Sequence, residues 1–197
     1  MNVYHFSDTG RLPWIVSTDE LRPGANAVGG YPSPEFIWAT SDARGSRTAA
    51  GGAQGYREDK VRLVRFTVDA ADFEPWSGIG ARYPAWTPEQ IARLENSARR
   101  KGDDPATWWC RVDPLPLART VLIETRAYRG PGWQPWITSL VVLADRDDML
   151  GVVLGGEAFL SRKVTIANGR TGYETTSIPA RALDVRVKLA RPSLGLL

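Results

Sequence analysis

Residues 61–68, VRLVRFTV, interleave apolar and polar side chains and predict a strand with one face turned inward. The period changes at residues 87–101. There Thr87 is a candidate N-cap, Pro88 fills the first helical position, Gln90 stands where a capping box needs it, and Gly102 follows the last turn. That segment predicts an amphipathic cover helix. At the start of the chain, residues 2–7 predict a strand. A helix should follow from residue 9 or 10 to residue 21, with Leu12, Ile15, Val16 and Leu21 as its apolar stripe. Residues 35–40, EFIWAT, predict a second short strand. The glycine-rich stretch 24–30 and the Gly, Ala, Ser and Arg-rich stretch 41–59 have no apolar period and predict loops, the second long enough to act as a lid or binding loop.

From Trp108 onward the pattern is almost wholly that of strands. Residues 120–125, 137–144 and 150–154 are strand-like, the last two joined by a polar turn at 145–148. Residues 159–167 and 173–178 flank Asn168-Gly169, a hairpin signal, and residues 183–189 alternate as a half-buried closing strand does. With no internal repeat, this order predicts one α+β domain over residues 1–197, with mostly antiparallel, strongly twisted sheets and a few cover helices.

At 197 residues the chain can bury a core without staples. Its single cysteine, Cys110, sits in an apolar Trp-Trp-Cys run and implies a buried thiol in a reducing compartment. The N-terminus lacks a basic region followed by an apolar stretch, and nowhere do about 18 apolar residues run together. A cytoplasmic protein with no membrane span is expected. Lysine and arginine number 25 against 22 aspartates and glutamates, so overall charge argues for no particular polyanion. The C-terminal part differs: Arg162, Lys163, Arg170, Arg181, Arg186, Lys188 and Arg191 outnumber Glu157, Glu174 and Asp184, which predicts a basic face there.

His5 is the only histidine, which excludes zinc sites built on several histidines and leaves any Ser-His-Asp or Cys-His system to run through residue 5. The carboxylates of 145–148 fit a solvated turn better than a magnesium site. The tryptophans, including Trp108-Trp109 and the GWQPW segment at 132–136, suit a core or loop anchors better than stacking platforms. No Walker loop, dinucleotide fingerprint or nucleophile elbow is present.

The opening run VYHFSDTGRLPWIVSTDELRP, residues 3–23, resembles the start of ADP-ribosyltransferase-like families, notably the DNA-modifying toxin group. In those families a first strand bearing His leads into a helix of the form x-Leu-Pro-x-Ile. The resemblance covers about 20 of the 197 residues. It implies NAD as substrate, His5 on the NAD ribose, a Tyr or Ser near the nicotinamide, and a catalytic Glu on a later strand. Tyr31, Ser41 and Tyr56 stay open for the second position. Glu124, in the TVLIE strand, is the candidate catalytic acid, with Glu157 and Glu174 as substitutes. The chain has no Ser-Thr-Ser triplet and no Glu-x-Glu or Gln-x-Glu pair of that family pattern.

The chemistry explains these residue types. Cleavage of the nicotinamide–ribose bond generates an oxocarbenium-like centre, which a carboxylate on a ribose hydroxyl stabilises as glycosidase carboxylates do. A neutral imidazole can hold a ribose hydroxyl at pH 7, and a tyrosine ring can stack on nicotinamide. The competing reading is a non-catalytic module that holds nucleic acid or a protein partner through the basic C-terminal strands and exposed tryptophans. On the transferase reading His5 and Glu124 face one cleft, rimmed by the 24–30 and 41–59 loops.

Overall fold

The computed structural model describes residues 1–24, 30–45, 53–136, 141–143, 149–166, 169–183 and 188–190. In chain order the elements are β1 (Asn2–Asp8), α1 (Leu12–Thr18), β2 (Glu20–Leu21), β3 (Ile37–Thr40), α2 (Ala53–Arg57), β4 (Leu63–Asp69), β5 (Glu74–Pro75), α3 (Ile79–Arg82), α4 (Pro88–Arg99), β6 (Trp108–Arg111), β7 (Leu115–Pro116), β8 (Thr120–Arg126), β9 (Gln134–Pro135), β10 (Val141–Leu143), β11 (Met149–Leu154), β12 (Glu157–Ile166), β13 (Arg170–Pro179) and β14 (Lys188–Ala190). This is an α+β architecture in which antiparallel pairing predominates. No helix among the described residues is long and apolar enough to cross a membrane.

The chain divides into two compact units. The first comprises residues 1–6, 21–51 and 65–122; the second comprises 7–20, 52–64 and 123–197. In the first, strands run in the order β5-β6-β3-β1-β4. Register is set by Tyr4 opposite Thr40 and by Trp38 opposite Cys110, so Tyr4, Trp38, Thr40 and Cys110 share one face of the sheet. On that face lies an aromatic core of Phe36, Trp76, Trp86, Trp108 and Cys110, with Trp38 and Tyr31 packed against it. Its rings meet mostly edge-on, as Trp76 and Trp86 do at 5.2 Å and 90°. Helix α4 is tied to this core by the indole N–H of Trp76, which donates to Glu95 at 2.9 Å.

The second unit is built on a five-stranded antiparallel sheet in the order β13-β12-β11-β10-β14. Its longest pair, β12 with β13, keeps register from Glu157 opposite Pro179 to Ile166 opposite Arg170. Helix α1 is seated on this sheet through Trp14, whose indole N–H donates to Ser161 at 3.3 Å.

Several boundaries differ from the sequence expectation. The helix expected to reach residue 21 stops at Thr18, because Asp19 turns left-handed at φ 56 and Glu20 and Leu21 extend into β2. Leu21, read as part of a helical stripe, is buried from a strand instead. Within the stretch read as loop, residues 53–57 form helix α2. Local propensity is poor there, with Gly55 in the middle, but Val61 packs 3.4 Å from the Cβ position of Gly55 and the Lys60 amide closes onto the Gly55 carbonyl at 2.9 Å. Helix α4 carries only half of the expected box. Thr87 accepts from the Gln90 amide at 3.4 Å, while the Gln90 side-chain carbonyl is buried without a partner. Asn168, the turn at 145–148 and the loop residues 25–29 and 46–52 lie outside the described residues.

Candidate functional site

In the first unit, His5 follows Tyr4 on β1 and therefore points to the sheet face opposite Tyr4 and Trp38. Its Nδ1 donates to the main-chain carbonyl of Trp38 on β3 at 2.8 Å. A carbonyl only accepts, so Nδ1 carries a proton, and in the neutral ring Nε2 is the acceptor nitrogen. The imidazole also packs against Phe66 of β4, with ring centroids 5.8 Å apart and planes tilted 43°. Strand pairing and the bond to Trp38 thus fix the orientation of the ring and its Nδ1–H tautomer.

Ser41 is exposed, one residue beyond β3. Its amide donates to Thr107 at 2.9 Å, and the hydroxyls of Thr40 and Thr107 meet at 2.8 Å. The turn that follows is braced twice. Asp42 binds the Arg44 amide and guanidinium, which lowers the Asp42 pKa through the side-chain bond first and the amide second. Arg65 on β4 donates to the carbonyl of Ala43, and its guanidinium sits 5.2 Å from the Tyr4 ring. Sequence reasoning assigned Arg65 no role; its only signal was a polar position within the 61–68 strand.

Tyr31 stacks on Trp86 at 5.7 Å with planes 7° apart, and the Arg93 guanidinium lies 4.5 Å from its ring centre. Trp86 packs edge-on to Trp38 at 6.4 Å, which puts Tyr31 with the aromatic core on the sheet face that His5 does not share. The structure does not bring Tyr31 to His5.

The remaining candidates belong to the second unit. Tyr56, on α2, donates its hydroxyl to the Ala127 carbonyl at 3.2 Å and meets Tyr128 edge-on at 5.2 Å. Burial is the main cause raising its pKa. Glu124 lies inside β8 rather than at its end, opposite Pro135, and is only 9% exposed. Of the substitute glutamates, Glu157 is ion-paired with Arg62 at 2.5 Å and Glu174 with Arg162 at 2.6 Å. His5, Tyr31 and Ser41 therefore fall in the first unit, and Tyr56 and Glu124 in the second.

A surface recess of about 300 Å³ lies elsewhere in the first unit, lined by Asp69, Asp72, Arg119, Thr120 and Val121, and it includes none of the candidates. No family model matches the chain, and neither a curated protein nor a solved structure matches it.

Proposed function

We propose that the chain is an ADP-ribosyltransferase-like enzyme, in fold and in chemistry, that cleaves NAD and transfers ADP-ribose to a nucleophilic acceptor in a toxin or defence role. The observation that carries this reading is His5. It is the one histidine of the chain, it stands on the first strand within the run 3–23 that resembles those families, and its Nδ1 bond to Trp38 leaves Nε2 as the acceptor nitrogen. That polarity suits a ribose hydroxyl as donor. A buried strand carboxylate at Glu124 supports the same reading, since a carboxylate shielded from water stabilises developing positive charge more strongly than an exposed one.

In this reaction the bond between nicotinamide and ribose C1′ breaks, nicotinamide leaves with the bonding electrons, and the acceptor's lone pair forms the new bond to C1′. Glu124 holds the neighbouring ribose hydroxyl while the oxocarbenium-like charge develops. His5 orients the dinucleotide.

Calorimetric titration with NAD tests it, together with chromatographic measurement of nicotinamide release. Wild type should bind saturably. His5→Ala should bind at least tenfold more weakly, and Glu124→Gln should bind normally but release nicotinamide at least a hundredfold more slowly. No binding by folded wild type at millimolar NAD would overturn the reading and leave a non-catalytic scaffold.

A further inference from the structure

Strand β13 ends the five-stranded sheet of the second unit, and among the described residues no strand pairs with its outer side. It is ten residues long and keeps unbroken register with β12 along its whole length. One hydrogen bond fixes which way each residue turns its backbone groups. The Ala180 amide donates to the Gly156 carbonyl at 2.8 Å, one step beyond the Glu157 and Pro179 pair. Bonded pairs alternate along an antiparallel ladder, so Gly172, Glu174, Thr176 and Ile178 turn their N–H and C=O groups toward β12. Thr171, Tyr173, Thr175 and Ser177 turn theirs outward. Pro179 falls in the outward set, where its missing N–H costs this sheet nothing.

Long edges are usually blunted by charge, proline or a bulge, because their free backbone groups are a template for further pairing. Here the outward residues Thr171, Tyr173, Thr175 and Ser177 are all uncharged, threonine and tyrosine favour strands, and the one proline stands at the end. Glu174 belongs to the other face, where Arg162 neutralises it at 2.6 Å. Thr176 and Ser177 point to opposite faces of the sheet and are both exposed, which puts solvent beside the strand as well as above and below it. The edge is thus long, straight and open to a further strand.

We infer that β13 pairs antiparallel with β13 of a second copy of this chain, joining the two sheets across a two-fold axis at Thr175. The inference stands independently of NAD chemistry. An axis perpendicular to the sheet brings outward groups against outward groups, so the strand is complementary to itself. Charge and length choose the register. Centring on Glu174 would set two carboxylates directly opposite each other, which is destabilising. Centring on Tyr173 or Thr176 runs one strand past the end of the other and shortens the ladder. Centring on Thr175 pairs residues 171 to 179 and puts Glu174 opposite Thr176 of the partner subunit. Both edges are consumed at once, so assembly closes at a dimer.

Sedimentation velocity of the full chain between about 1 and 100 μM tests the inference, a range that populates both states of a micromolar dimer. Wild type should pass from monomer to dimer. Ser177→Pro removes an outward N–H and should weaken the dimer at least tenfold, whereas Ser177→Ala keeps that N–H and should stay within threefold of wild type. Thr176→Lys sets a cation opposite Glu174 of the partner subunit, twice per dimer, and should tighten it about threefold or more. Thr176→Glu should weaken it by as much. Circular dichroism checks that each variant folds, and if Ser177→Pro does not, the Thr176 variants decide alone. Three outcomes would each overturn the inference: a wild type that stays monomeric throughout, equal affinities for folded Ser177→Pro and Ser177→Ala, or shifts in the same direction for Thr176→Lys and Thr176→Glu.

Discussion

The imidazole of His5 and the backbone of Trp38 are separated by 33 positions in sequence and joined by a 2.8 Å hydrogen bond across β1 and β3. Because the acceptor is a carbonyl, the bond decides the tautomer as well as the orientation of the ring. His5 is the single histidine, so its ring nitrogens can be observed by NMR without an assignment problem. We expect long-range ¹H–¹⁵N spectra of the neutral ring to show Nδ1 protonated and Nε2 bare. A dominant Nε2–H tautomer would mean that the bond to Trp38 is absent in solution.

The approach of α1 to β13 leaves no room at Gly10. A Cβ there would stand 2.5 Å from Thr175 Oγ1 and 3.0 Å from Asp8 Oδ1. Gly10→Ala should therefore cost about 1–3 kcal/mol of stability, as overpacking commonly does. Adding Thr175→Ala removes the nearest obstacle, so the double variant should be more stable than the sum of the two single effects. Urea unfolding of all four proteins measures this, and strict additivity would show that the crowding is not between these two residues.

Only one arm of the α4 capping box is formed, and the two arms can be tested separately. Thr87→Ala should lower stability by about 1 kcal/mol, whereas Thr87→Ser should retain most of it. Gln90→Ala should be close to neutral, because its buried side-chain carbonyl has no partner to lose. A loss at Gln90 equal to that at Thr87 would indicate a complete box.

Burial pushes the Cys110 thiol well above its usual pKa, with the charge of Glu74 adding to the effect. The folded state then keeps a proton that the unfolded chain gives up as pH rises past about 8.5. The associated stability is full below that pH and declines above it, approaching about 1.4 kcal/mol per pH unit while only the unfolded thiol ionises. Cys110→Ala should remove this part of the alkaline decline. Comparing urea midpoints of the two proteins between pH 7 and 10 checks it. Parallel profiles would contradict a buried, protonated thiol. Thiol reagents should label Cys110 only as fast as the fold opens.

The elements legible in sequence were those whose signals lie within a few neighbouring residues. The alternation at 61–68 gave β4, the Thr87-Pro88 start and the Gly102 stop bracketed α4, and Gly102 does take the positive φ of 86 that a helix exit favours. The apolar β-formers of 120–125 gave β8, which continues one residue further, to Arg126. Helix α2 and the short α3 escaped notice because packing, more than local periodicity, holds them: Val61 fills the space over Gly55, and Ile79 is buried in the aromatic core.

For the candidate site, sequence alone determined which side chains were available: one histidine, a few tyrosines and serines, and glutamates in strands. Tertiary structure alone decided their surroundings. Strand register put His5 and Tyr31 on opposite faces, stacked Tyr31 on Trp86, and committed Glu157 and Glu174 to arginines. It also brought Trp14 under Lys163, 149 positions further along the chain. The physical reason is one of range. Periodicity and caps are written in residues that are neighbours along the chain, whereas the partner of an imidazole or the face of a strand depends on pairings between distant segments that form only when the whole core closes.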